Sequence, residues 1–132
     1  MMNIQELATA IQYRLPIKIF IINNEYMGMV RQWQELLHGG RYSESYSAAL
    51  PDFVKLAEAF GARGLRATKP SELDDTIREM IAIDGPVVVD VAVDPKENCF
   101  PMIPSGAAHN DMLLGPADEA ERPVSEDGMV LV

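Results

Sequence analysis

Two apolar stretches of strand length constrain this chain more than any other feature. Ile17-Lys18-Ile19-Phe20-Ile21-Ile22 and Pro86-Val87-Val88-Val89-Asp90-Val91-Ala92-Val93 are rich in β-branched side chains, and each is broken by a single charged residue. Neither alternates between polar and apolar, as a strand with one wet face would. Near-continuous apolarity fits strands covered on both faces, and such strands are characteristically parallel and layered between helices. Parallel neighbours in turn need crossover connections, so helical segments are expected between the runs.

Those helices are legible from their spacing. Ile4, Leu7, Ala8, Ile11 and Leu15 fall on one helical face, with Asn3 as N-cap and Glu6 three residues on as in a capping box, and Pro16 ends the segment. Met29, Val30, Trp33, Leu36 and Leu37 share a face of a second helix that closes near Gly39-Gly40. Arg41 to Leu50 reads as a loop. Pro51 opens a third helix with Phe53, Val54, Leu56, Ala57 and Phe60 inward, and Gly64 to Ala67 follows as a short strand. Ser71 with Asp74 signals a fourth helix that turns Leu73, Ile77, Met80 and Ile81 to the core before Gly85.

The predicted order is helix, strand, helix, helix, strand, helix, strand, which implies an α/β fold: an open parallel sheet with flanking helices. Such a layer normally begins with a strand, whereas this one begins with a helix, so the domain is expected to lack its first strands and to leave Ile17–Ile22 as an unpaired edge. Two parts are expected, residues 1–95 as the α/β layer and residues 96–132 as an irregular segment. Pro101, Pro104 and Pro116 break the second part, and it ends in an acidic tail from Asp118.

Composition excludes several function classes. A net charge of -9 offers no basic stripe for nucleic acid. No apolar run is long enough to span a bilayer. The start shows no signal-peptide pattern, and the single Cys99 forbids an internal disulfide, so a cytoplasmic protein is expected.

In open parallel sheets, ligands gather at the carboxyl ends of strands. Asn23-Asn24 stands at such an end, before a turn containing Gly28 and a new helix N-terminus. An amide oxygen, backbone carbonyls and helix-end N–H groups converge there, which suits a magnesium ion holding a diphosphate. The plain reading of the same pair is a surface turn. Plain readings also apply elsewhere: Trp33, Met29 and Leu36 as core, His38 and His109 as solvated or structural residues, Cys99 as a small packing residue, and Asp90 as an edge-facing structural carboxylate. Ser105-Gly106 lacks the elbow of a nucleophile.

Longer stretches carry a specific resemblance. Thiamine-diphosphate enzymes bear a motif that opens Gly-Asp-Gly and closes Asn-Asn, and Asn23-Asn24 resembles its closing half. The stretch from Met2 to Ala10, the block from Asn23 to Trp33, Pro51 to Ala57 and Cys99 to Gly106 are similar to the acetolactate synthase catalytic subunit. Gly28-Met29-Val30 followed by Trp33 is the most specific of these, and no resemblance extends past Leu114.

The resemblance implies a truncated thiamine-diphosphate-binding domain. Asn24 would give its side-chain oxygen, and Tyr26 its main-chain carbonyl, to Mg²⁺. Gly28, Met29 and Met2 would lie at the cofactor, while Met29 and Trp33 would shape the pocket for the accepting 2-oxo acid. It implies further that residues 99–106 form part of a lid and that no catalytic residue lies in this chain. The Gly-Asp-Gly half, the FAD-holding domain and the activating glutamate would lie outside it. The implied partners are small 2-oxo acids, the rest of the catalytic subunit, a homodimer partner and a regulatory subunit. Two readings of other classes stand beside it: a non-catalytic α/β interaction module, and an independent flavodoxin- or receiver-like domain.

Overall fold

The computed structural model describes residues 2–115. Its element order is α1 (Glu6–Gln12), β1 (Lys18–Asn23), α2 (Gly28–Leu37), α3 (Phe53–Phe60), β2 (Arg63–Ala67), α4 (Pro70–Ala82) and β3 (Val87–Ala92), followed by a 3₁₀ turn at His109–Asp111. The three strands form one sheet in the order β1-β3-β2, parallel throughout. This is the open parallel sheet that the two apolar runs require.

The chain divides into two compact units, Met1–Asn24 with Ala49–Asp94, and Glu25–Ala48 with the segment from Pro95. The first unit holds the whole sheet. On one face, Leu65, Ala67, Val87, Val89 and Val91 pack with Leu73, Met80, Ile83 and Val93. On the other, Leu7, Ala57, Ala62 and Val88 pack with Ile4, Ile11, Ile19, Ile21 and Phe60. Odd and even residues of β3 serve opposite faces, and apart from Asp90 both are apolar because helices cover both. Gly64 is demanded by this packing, since a Cβ there would stand 2.7 Å from the Val54 carbonyl oxygen and 2.8 Å from its Cα. The close approach of α3 to β2 has no room for any side chain.

Several helix ends fall elsewhere than the sequence suggests. The first helix begins at Glu6, so its N-cap is Gln5, which makes no side-chain bond, rather than Asn3. It ends at Gln12 because Arg14 turns into the left-handed region at φ 50° and Leu15, preceding Pro16, is barred from helical backbone. Leu15 is therefore exposed. At α3 the cap is Asp52, whose carboxylate accepts from the N–H groups of Val54 (3.1 Å) and Lys55 (3.3 Å), with Pro51 lying outside it. Gly61 closes α3 at φ 86°.

At α4 the expected Ser71 cap gives way to Pro70 at the first helical position. The Glu72 carboxylate reaches back to the N–H groups of Thr68 (2.9 Å) and Lys69 (3.1 Å). Ile81 is largely exposed rather than in the core, since it lies about 100° around the helix from Met80, which packs as expected with Leu73.

Candidate functional site

The carboxyl end of β1 lies in the first unit. Asn23 is the last residue of β1, and its side-chain N–H donates to Asp90 Oδ1 at 2.9 Å. Asp90 is 6% exposed, and its second oxygen accepts from Arg66 Nε at 3.2 Å. Arg66 extends the chain of contacts through Nη2 to Asp52 Oδ1 at 2.7 Å. A carboxylate inside an apolar sheet is stable only when its lone pairs are met in this way. The sequence reading of Asp90 as edge-facing fails because β3 is the central strand, so Asp90 has neighbours on both sides. Three elements (β1, β3 and β2) thus lock the residue immediately before Asn24.

The Asp52 carboxyl is held below the usual carboxylate range, foremost by the Lys55 N–H, with Arg66 and the Val54 N–H adding to it and desolvation opposing. Glu72 is lowered too, foremost by the Thr68 N–H. Neither belongs to a metal-like group: among the described residues no cluster of three or more His, Cys, Asp or Glu could hold a metal. Asn24, the residue after β1, is half-buried, and its side-chain amide carries a hard oxygen. It fits a magnesium-type ion better than zinc or copper, but supplies only part of such a shell. Met2, expected at the cofactor, is almost fully exposed.

The second unit carries the rest of the motif. Glu25 adopts a left-handed conformation at φ 61°, and Tyr26 bridges Tyr46 in antiparallel fashion. Flanking bonds run from the Met27 N–H to the Ser45 carbonyl (2.8 Å) and from the Ser47 N–H to the Glu25 carbonyl (2.8 Å). The Tyr26 and Tyr46 rings lie 5.1 Å apart, and the Arg31 guanidinium stands 5.6 Å from the ring centres of both Tyr26 and Tyr42. Burial and the carboxylate of Glu35 push the Tyr42 phenol up. Gly28 is the first residue of α2.

Helix α2 does not bury Met29 and Trp33, as their plain reading as core would require, while Leu36 and Leu37 are half-buried. Met29 is 57% exposed and Trp33 42%, and Val30 is exposed beside them, whereas Arg31 and Gln32 are buried. Gln32 acts as a surrogate peptide group: its amide oxygen accepts from the Cys99 N–H at 2.7 Å and its Nε2 donates to the Cys99 carbonyl at 3.0 Å. Arg31 pairs with Glu35 and donates to the Lys96 carbonyl and the Asn98 side chain. Cys99 itself is exposed, so its backbone rather than its thiol ties the segment down, contrary to its reading as a packing residue. Residues 102 and 113 close the segment with a pair of antiparallel bonds. Sequence reasoning missed Arg31 and Gln32, since both lie on the polar side of the helix.

The family described as thiamine pyrophosphate enzyme, C-terminal TPP binding domain, matches residues 1–91, and the chain belongs to it. A thiamine diphosphate-dependent 4-hydroxybenzoylformate decarboxylase of Rhodococcus jostii RHA1 shares the fold with TM-score 0.63 and 29% identity, over 70% of this chain and 17% of that one. Within the family the similarity lies with acetolactate synthase large subunits. The Haemophilus influenzae large subunit is 45% identical over 119 residues, 89% of this chain and 21% of that protein. The Cyanidium caldarium large subunit is 49% identical over 113 residues, 85% of this chain and 19% of that protein. The chain therefore spans about a fifth of the length of these relatives. Among the described residues no helix is long and apolar enough to cross a membrane.

Proposed function

We propose that this chain is the cofactor-anchoring part of an acetolactate synthase large subunit, acting in branched-chain amino-acid biosynthesis in the cytoplasm. The observation that carries the reading is Asn24 at the carboxyl end of a parallel strand, next to an Asn23 fixed by buried Asp90, in a chain similar to those subunits. Asn24 would supply a side-chain oxygen, and Tyr26 a main-chain carbonyl, to Mg²⁺ bound to the diphosphate. Gly28 and Met29 would sit at the cofactor, with Met2 beside them.

Thiamine diphosphate, when bound, supplies the decarboxylation of pyruvate and the joining of its two-carbon unit to a second 2-oxo acid, pyruvate or 2-oxobutyrate. The role of this chain is to hold and to orient. The exposed apolar side chains of Met29 and Trp33 would bound the pocket for the accepting acid and keep water from it. No group of this chain is assigned a proton transfer. The activating glutamate, the Gly-Asp-Gly ligand and the FAD domain belong to other parts of a full-length subunit, which would work as a homodimer with a regulatory subunit. The isolated chain is accordingly expected to form no acetolactate from pyruvate.

Trp33 is the single tryptophan and follows Asn24 across the turn, so its emission reports on the site. Titration of the folded chain with thiamine diphosphate should give a saturable change only when Mg²⁺ is present, and the change should be lost in Asn24→Ala. A metal-independent change, or one that Asn24→Ala leaves intact, would overturn the assignment of Asn24.

A further inference from the structure

The Tyr26 carbonyl is a main-chain group, so its own side chain does not aim it, and its direction is set by the backbone on either side. Immediately before it, Glu25 stands in the left-handed region at φ 61°, a conformation that a residue with a Cβ keeps only where its surroundings hold it. What holds it is the stretch from Ser45 to Ser47, which the sequence marks only as part of a loop. The Met27 N–H donates to the Ser45 carbonyl and the Ser47 N–H to the Glu25 carbonyl, each at 2.8 Å.

Those two bonds flank the bridge between Tyr26 and Tyr46 and fix its type. When the residues before and after make the bonds, the central two form the non-hydrogen-bonded pair of an antiparallel ladder. Their own N–H and C=O groups then point away from the partner segment. Tyr26 therefore turns its carbonyl to the side opposite residues 45–47. Side chains of such a pair stand close, and the two rings lie 5.1 Å apart, tilted by 54°. The guanidinium of buried Arg31, tied to the Lys96 carbonyl, stands 5.6 Å from the centre of the same Tyr26 ring. All of these residues belong to the second unit.

We propose that Tyr46 is a positioning residue for the Tyr26 carbonyl. Its ring packs on the Tyr26 ring and its neighbours pair with the backbone around Tyr26, so together they fix the direction in which that oxygen is offered to the divalent cation of the diphosphate. The proposal rests on the reading of Tyr26 as a main-chain ligand and adds the element that sets its direction. The ring carries the effect rather than the hydroxyl, because Tyr46 Oη stands 3.5 Å from Glu25 Oε2, the outer limit of a hydrogen bond. Tyr46→Phe should accordingly behave as the parent chain, and Tyr46→Ala should not.

Tyr26-Met27 is the only Tyr-Met step in the sequence, so tyrosine labelled with ¹³C at its carbonyl and methionine labelled with ¹⁵N mark a single carbonyl–amide pair. Its NMR cross-peak reports the Tyr26 carbonyl and the Met27 N–H together. Titration with Mg²⁺ in excess thiamine diphosphate should shift the Tyr26 carbonyl saturably, and neither component alone should do so. The Mg²⁺ dissociation constant should rise about three- to tenfold in Tyr46→Ala and stay within about twofold in Tyr46→Phe. Ser47→Pro removes the N–H that the Glu25 carbonyl accepts and keeps the ring, so it should raise the constant by about the same factor. The two variants reach the same point separately should one fail to fold. Faster exchange of the Met27 amide with unchanged affinity in both would make the stretch structural only, overturning the proposal while leaving Tyr26 as a ligand. Equal loss in Tyr46→Phe and Tyr46→Ala would overturn the role given to the ring. A Tyr26 carbonyl that Mg²⁺ with thiamine diphosphate leaves unshifted in the unaltered chain would overturn the reading of Tyr26, and the proposal with it.

Discussion

Replacing Asp90 by alanine should destabilise the sheet unit substantially. Asp90 accepts from Asn23 at 2.9 Å and from Arg66 at 3.2 Å, and hydrogen bonds to a charged group are each worth roughly 1.5–3 kcal/mol. The sum is an upper bound. The Arg66 side chain is 41% exposed, so its guanidinium rehydrates and keeps Asp52 as a partner. The Asn23 amide, half-buried, loses more of its bond. The net loss for Asp90→Ala comes to about 2–3 kcal/mol, a fall of roughly 10 °C or more in the melting midpoint of a domain of this size. Asp90→Asn retains an oxygen acceptor for Asn23 while opposing Arg66 with a donor, and should lose about half as much. Thermal unfolding followed by far-ultraviolet circular dichroism reads both. An Asp90→Ala midpoint within about 2 °C of the parent would refute the reasoning, since a buried carboxylate anchoring two strands cannot be that dispensable. A double-mutant cycle of Asn23→Ala with Asp90→Ala should show coupling, whereas Arg78→Ala, whose partners are Asp74 and Asp75, should be additive with Asp90→Ala.

Two further outcomes are expected. Gln32→Leu leaves the Cys99 N–H and carbonyl without their partner, so the Cys99 amide should exchange much faster while the β3 amides are unaffected; equal exchange in both proteins would show that Gln32 does not hold the segment. The lowered carboxyls of Asp52 and Glu72 set the acid limit. A folded-state pKa below the unfolded one contributes stability that is present above the unfolded values, near 3.8 and 4.5, and lost as pH falls through the folded ones. Denaturant midpoints measured downward from neutral pH should therefore fall below about pH 5, and Asp52→Asn with Glu72→Gln should flatten that fall. An unchanged acid slope in the double variant would show that other groups carry it.

The sequence alone determined the class of fold. Ile17–Ile22 and Val87–Val93 are near-continuously apolar, β-branched and of strand length, and strands layered between helices cover both of their faces. The Asn23-Asn24 turn at a strand's carboxyl end was legible too, because the apolar run stops there. Helix ends were less so. A pattern marks where a helix is favourable, but Asp52 and Glu72 won the caps through contacts that Pro51 and Ser71 only approximated.

Only the tertiary structure decided which side of α2 is buried. Periodicity shows that Met29, Val30 and Trp33 share a face, and says nothing of whether anything covers it. Burial went instead to Arg31 and Gln32, because the partners that satisfy them, at Lys96 to Cys99, lie 65 to 67 residues away. Asp90 and Asn23, also 67 apart, obey the same rule. A polar side chain can be buried only where its hydrogen bonds are met, and partners that distant are set by the fold rather than by any local pattern.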